Sequence, residues 1–166
     1  NDPLYADSGL LFVPYLFGER APVWEPEVRA TFVGISNMHN KKHFLRASIE
    51  GVAFSLKHIL NKLIDEGNKV DCLTADGGFT RSESWVQLVC DVLGVRVEVP
   101  ETSYGAAKGA AMLAKMALTG KGLTEIINDE EIKKTYYPDP FRTEKYELAF
   151  RKYLRVSDFL IRELTG

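Results

Sequence analysis

The stretch Leu73–Gln87, read L-T-A-D-G-G-F-T-R-S-E-S-W-V-Q, runs from a short apolar segment through a glycine pair into a helix start. An apolar run of strand length that ends this way brings open backbone N–H groups to the carboxyl end of a strand, where open α/β sheets take their ligands. Gly77 and Gly78 have no Cβ, so a flat or anionic ligand can lie directly on the main chain, and either residue can take φ > 0. Thr80 with Glu83 three positions on, or else Ser82, can cap the helix, and Trp85 and Leu88 begin its buried face. A glycine pair between strand and helix also serves as a plain tight turn, and spacing alone leaves both readings open.

Outward from this stretch, Val70–Ala75 is the strand that feeds the glycines, and the helix from Ser82 to Leu93 is stopped by Gly94. Val95, Val97 and Val99 alternate with Arg96 and Glu98, which reads as a strand closed by Pro100. After a turn over Glu101–Gly105, Ala106–Leu118 is a helix of small side chains, expected to sit close on the sheet. Leu123–Ile127 reads as a short helical piece, Ile132–Tyr137 as an extended one, and Thr143–Leu164 as the last helix, with Tyr146, Phe150, Tyr153 or Leu154, and Leu160 as its apolar stripe. Alternation of strand and helix from Val70 onward predicts parallel pairing through right-handed crossovers.

Upstream, Lys41–Glu66 is the longest helix. Leu45, Ile49, Val52, Leu56, Ile59 or Leu60, and Leu63 share one helical face, expected to cover the sheet. Leu10–Leu16 reads as a strand interrupted by Pro14, and Arg29–Ser36 as a second strand in which Gly34 marks a close backbone approach. Residues 1–9 read as a frayed lead-in. In the loop Gly18–Pro26, Glu19 and Arg20 fix the loop by an ion pair or backbone hydrogen bonds, or else orient a substrate; Trp24 reads as a packing anchor.

The chain has 166 residues, 45% hydrophobic and 27% charged, which is one domain's length and composition. A net charge of -2 with no basic block argues against a nucleic-acid partner. No apolar run approaches a membrane span and no signal pattern opens the chain, so the expected setting is cytoplasmic, without a membrane partner. Cys72 and Cys90 read as buried free thiols, and His39, His43 and His58 have no carboxylate or thiol at ligand spacing, so no metal site is expected.

Three blocks carry a resemblance. Asp76–Gly94, D-G-G-F-T-R-S-E-S-W-V-Q-L-V-C-D-V-L-G, resembles the adenosine-side motif G-G-x-x-R-S-x-x-W-x-Q-x-x-A-D of the FGGY carbohydrate kinases; Phe12–Pro26 resembles their G-E-R-x-P segment, and Tyr104–Ala114 their small-residue helix. The resemblance implies an α/β fold of the ribonuclease-H-like, actin/hexokinase type, with residues 1–166 forming the C-terminal nucleotide-binding domain of a longer chain. It implies transfer of the γ-phosphoryl of Mg-ATP to a sugar or sugar-acid hydroxyl, with gluconate ahead of xylulose as acceptor. Gly77, Gly78, Arg81 and Ser82 are then the nucleotide-binding residues, and Gln87 stands behind them. Glu50-Gly51 matches an acidic-then-small pair of the family: Gly51 permits close helix–strand packing and Glu50 hydrogen-bonds within the domain. Asp76 stands where relatives carry a small or hydroxyl residue.

The family's Asp base and phosphate-binding hairpin fall before Asn1, so no catalytic residue is expected in this fragment, and an N-terminal domain is its expected partner. Central strands falling there too would leave apolar surface and strand edges uncovered, with association, as in a homo-oligomer, or else marginal stability as the consequence. Two readings of other classes compete. A dinucleotide-binding domain would need G-x-G-x-x-G after the first strand, which does not occur. A non-catalytic interaction module on the same fold would bind no ATP or ADP.

Overall fold

The computed structural model describes residues 8–101, 105–126 and 132–164. Strands β1 (Leu11–Val13) and β2 (Thr31–Val33) form an antiparallel pair, and helix α1 (Lys41–Asp65) follows. Then come β3 (Cys72–Thr74), a 3-10 turn (Gly78–Arg81), α2 (Glu83–Leu93), β4 (Arg96–Pro100), α3 (Gly105–Thr119), α4 (Leu123–Ile126), β5 (Ile132–Tyr136) and α5 (Pro140–Leu164). The second sheet has the order β3-β4-β5. Its β3–β4 pair is parallel, as the βαβ pattern requires, but β5 returns antiparallel to β4, against the expectation of parallel pairing throughout.

Each boundary has a local cause. Pro14 ends β1 after three residues. Asn40 caps α1: its Oδ1 accepts from the Lys42 N–H at 3.0 Å, and His43 Nδ1 accepts from the Asn40 N–H at 3.2 Å, so an imidazole does what Glu does in the usual capping box. Gly94, at φ 74°, ends α2 in the left-handed conformation and accepts no strain by doing so.

Two glycines bring α1 and the first strands together. A Cβ on Gly51 would stand 2.3 Å from the Phe12 carbonyl oxygen, and one on Gly34 would stand 2.4 Å from the Gly9 carbonyl oxygen. Both close approaches match the sequence expectation.

The larger core lies between α1, α2, α5 and β1, around Phe54, Tyr146, Phe150 and Tyr153. A smaller one joins α2 to the sheet through Val86, Cys90, Val97, Val99 and Tyr136. The stripe expected on α5 is buried as read. The face expected of α1 is buried only in part: Leu60 lies in the core and Ile49 packs against it, but Leu45, Val52, Leu56 and Leu63 are exposed, and the helix also buries Ala47, Glu50, Gly51, Ala53, Phe54 and Lys57. Ala47, Gly51 and Ala53 give α1 a narrow side, while Phe54 and Leu60 fill the core beside them. Helix α3 buries none of its residues, and a Cβ on Gly109 would meet nothing within 4 Å, so the close seat on the sheet expected for this helix is absent.

Buried polar groups are tied to one another. Glu50 Oε1 accepts from Arg46 Nε at 2.9 Å and from the Tyr146 hydroxyl at 3.1 Å, as the within-domain reading of Glu50 requires. Lys57 runs through the core to Glu147 at 2.9 Å and to the Val92 carbonyl at 2.8 Å. Trp24 is 72% exposed, with φ 58°, so it anchors nothing; the loop around it is held by a pair of backbone bonds between Glu19 and Glu25. No helix among the described residues is long and apolar enough to cross a membrane.

Candidate functional site: a double-glycine shelf

Strand β3 ends at Thr74, and the chain passes through Ala75 and Asp76 to the glycine pair. Gly77 has φ 107° and ψ -177°, a conformation that only glycine adopts without strain, and it sets the direction of the 3-10 turn that begins at Gly78. Both glycines are exposed, and a Cβ built on either would meet nothing within 4 Å. Main chain therefore faces open space at the carboxyl end of a strand with a parallel neighbour.

The turn is braced from within. Thr80 Oγ1 donates to the Gly77 carbonyl at 2.7 Å, so Thr80 closes the turn and the expected Thr80–Glu83 capping box does not form. Ser82 occupies the N-cap position of α2, but its side chain makes no cap bond; its hydroxyl lies 3.2 Å from that of Ser84. Phe79 tucks beneath the turn, edge-on to Trp85 at 6.0 Å between centroids. The shelf is thus open above and apolar below.

A cavity lies on each side. Toward α1, about 300 Å³ is lined by Leu56, Leu63, Leu73, Asp76 and Phe79 among others. Toward β5, about 200 Å³ is lined by Thr80, Arg81, Glu83, Lys134 and Tyr136 among others. Arg81 and Ser82 follow the glycines within one turn, Arg81 exposed and lining the β5-side cavity, Ser82 half-buried. Across that cavity Lys134 binds Glu83 at 2.9 Å, and this bond raises the lysine's pKa. Gln87 is elsewhere: its amide donates to Asp91 Oδ1 at 2.7 Å and to the Tyr137 carbonyl at 2.9 Å, a structural tie behind α2. Among the described residues, no group of three or more His, Cys, Asp or Glu is arranged to hold a metal ion.

The residue that sequence reading passed over is Asp76. Its carboxylate accepts from the Gly77 N–H at 2.6 Å and from the Gly105 N–H at 2.7 Å. The one signal available was that an acid stands before the glycines, where the resembled motif has a small or hydroxyl residue; its partner, 29 positions away, was not legible.

Residues 3–118 match the FGGY family of carbohydrate kinases, C-terminal domain. Curated relatives include a xylulose kinase of Bacillus subtilis (strain 168), 34% identical over 90% of this chain and 30% of its own length, and a gluconokinase of the same organism, 36% identical over 95% and 31%. Among solved structures, a ligand-bound xylulose kinase and a gluconate kinase, both from Lactobacillus acidophilus, superpose with TM-scores of 0.86 at 32% identity, over 98% of this chain and 33% of theirs. The chain therefore spans less than a third of the length of those two curated relatives. The matched family model, the two kinds of relative and the shared α/β fold agree: this chain belongs to the FGGY family of carbohydrate kinases and carries that family's C-terminal domain.

Proposed function

We propose that this chain is the nucleotide-holding part of an ATP-dependent carbohydrate kinase, which transfers the γ-phosphoryl group to a hydroxyl of a sugar, sugar acid or polyol. The observation that carries the reading is the open main-chain shelf at Gly77 and Gly78. A flat base or ribose rests on bare backbone there, where any Cβ would hold it off. Arg81 flanks the ligand from the β5 side, and the Ser82 hydroxyl offers it a donor and an acceptor.

The chemistry that bound Mg-ATP would supply is neutralisation of the charge that develops on the transferred group, with no residue described in this chain assigned to the metal. The base that takes the acceptor's proton belongs to the rest of the protein, and an N-terminal domain closes on the sugar. In a cytoplasmic enzyme of this kind gluconate is the acceptor in the finer reading, from the G-E-R-A-P segment at Gly18–Pro22. Relatives of the gluconate and xylulose kinds stand at 36% and 34% identity, so similarity does not rank the two acceptors.

Titration of ADP into the chain by calorimetry tests the shelf. Gly78→Val keeps an allowed backbone and covers the main chain, so it is expected to weaken ADP binding about tenfold or more, the equivalent of one good ligand contact, with the fold intact. Equal binding by both proteins would refute the shelf.

A further inference from the structure

Helix α5 has two faces. Tyr146, Phe150, Tyr153 and Leu160 turn into the larger core, and on the opposite side Phe141, Lys145, Leu148, Lys152, Arg155 and Phe159 form one line along the helix. Steps of four and three residues alternate along it, the spacing of a seam that faces a second helix. Phe141, Leu148 and Phe159 are 65%, 59% and 61% exposed, a row of large apolar side chains rather than scattered ones. Lys145 lies over the Phe141 ring, 5.1 Å from its centroid, and steadies that end of the row.

The cations decide what fits. Among the described residues neither Lys152 nor Arg155 has an ion pair, and nearby acids are engaged elsewhere: Glu147 binds Lys57 and Glu50 binds Arg46, each at 2.9 Å. Glu144, Asp158 and Glu163 stand beside the seam and not on it. A second copy of this chain would bring the cations of one seam among those of the other with no acid between them, which repulsion opposes. An acidic partner meets no such penalty.

A cavity of about 580 Å³ opens along the same stretch, lined by Lys152, Arg155 and Phe159 from α5 and by Leu10, Leu11 and Val33 from the first strands. It has room for a large apolar side chain beneath the two cations, and an anchor in a pocket ringed by polar groups is how binding energy concentrates.

We propose that the outer face of α5 is a docking surface for an acidic amphipathic helix of a partner protein. That helix lays apolar side chains along Phe141, Leu148 and Phe159, sets one in the cavity, and pairs its carboxylates with Lys152 and Arg155. It needs about five turns to cover the roughly 27 Å from Phe141 to Phe159. None of these six residues lines the cavities beside Gly77 and Gly78, so a partner held here tethers the chain and leaves the shelf open.

The test uses the 166-residue chain and a fluorescent synthetic helix with leucine along its seam and glutamate on both sides, followed by anisotropy. A matched peptide with lysine for glutamate, and phosphatidylserine vesicles, are the comparison probes. The glutamate peptide should bind saturably, about tenfold or more tighter than the lysine peptide, and salt should weaken it. Lys152→Glu with Arg155→Glu should lower its affinity about tenfold and raise that of the lysine peptide, a gain that only a folded chain can show. Phe159→Ala should weaken the glutamate peptide by a similar factor.

A glutamate peptide that does not bind, or that binds the charge-reversed chain equally well, would overturn the proposal. Binding to the vesicles in place of the peptide would also overturn it and make the face a lipid surface. Self-association of the wild type that the charge reversal abolishes would overturn it too, and make the face an interface between copies.

Discussion

Gly51 and Phe12 are in contact through main chain: the glycine's missing Cβ would stand 2.3 Å from the Phe12 carbonyl oxygen. The contact sets how close α1 lies to β1, and through them how the first strands meet the larger core. Neither backbone can give way without the other. Gly51→Ala should therefore lower stability by about 1–3 kcal/mol from forced overpacking, even after the gain in helix propensity. Gly109→Ala, in open space within α3, should raise local stability by up to about 1 kcal/mol. Urea midpoints of the two variants should move in opposite directions; a shared sign would contradict the packing described.

Asp91 is fully buried, and its Oδ1 accepts from Gln87 at 2.7 Å and from the Asp139 N–H at 2.9 Å, with Arg142 3.5 Å from Oδ2. It holds the turn before α5 against α2. Replacement by Ala strands two donors and should cost about 2–4 kcal/mol, whereas Asn should cost less. Thermal melts of the two variants check the order.

Burial raises the pKa of the Tyr15, Tyr146 and Tyr153 phenols, and it pushes the Cys90 thiol up to about 11. Each group is favoured neutral in the folded state, so the stability it confers is complete below its unfolded pKa and is lost as pH rises through its folded one. The urea midpoint should fall from about pH 9 upward, where unfolded thiols and phenols begin to ionise. Tyrosinate absorbance of the folded chain should show fewer than its seven tyrosines ionised before unfolding. A midpoint that stays level through this range would contradict the burial of these groups.

Leu45, Val52, Leu56 and Leu63 form an uncovered apolar stripe on α1, and Leu56 and Leu63 also line the cavity against β3. Exposed apolar surface of this kind drives association. The double substitution Leu56→Lys, Leu63→Lys should reduce concentration-dependent light scattering while changing stability by no more than about 1 kcal/mol. Scattering equal to that of the wild type would mean the stripe plays no part.

Sequence carried the local features well. Gly34 and Gly51 were readable because glycine inside a strand or a helix can mark a close backbone approach, although Gly109 of α3 shows that it need not, and the α5 stripe because Tyr146, Phe150, Tyr153 and Leu160 recur at helical spacing. The α1 face was misread because that helix is apolar on two sides, and periodicity does not say which side meets the rest of the domain. The antiparallel return of β5 and the exposed setting of α3 depend on contacts between distant segments, which alternation of strand and helix does not encode. At the shelf, Gly77 and Gly78 were legible as bare main chain, but Thr80 was misread as a helix cap, since a threonine hydroxyl serves a turn as readily as a helix. The Asp76–Gly105 tie needs two residues 29 apart to meet, and no local pattern records it.

The central claim is that an adenine nucleotide lies on the main chain of Gly77 and Gly78, and backbone amide resonances of the chain during an ADP titration test it most directly. Saturable shifts centred on Gly77, Gly78 and Ser82, with Gly109 in the open part of α3 unmoved, are the predicted result. Resonances at the two glycines that stay fixed while ADP binds elsewhere, or while it does not bind at millimolar concentration, would contradict it.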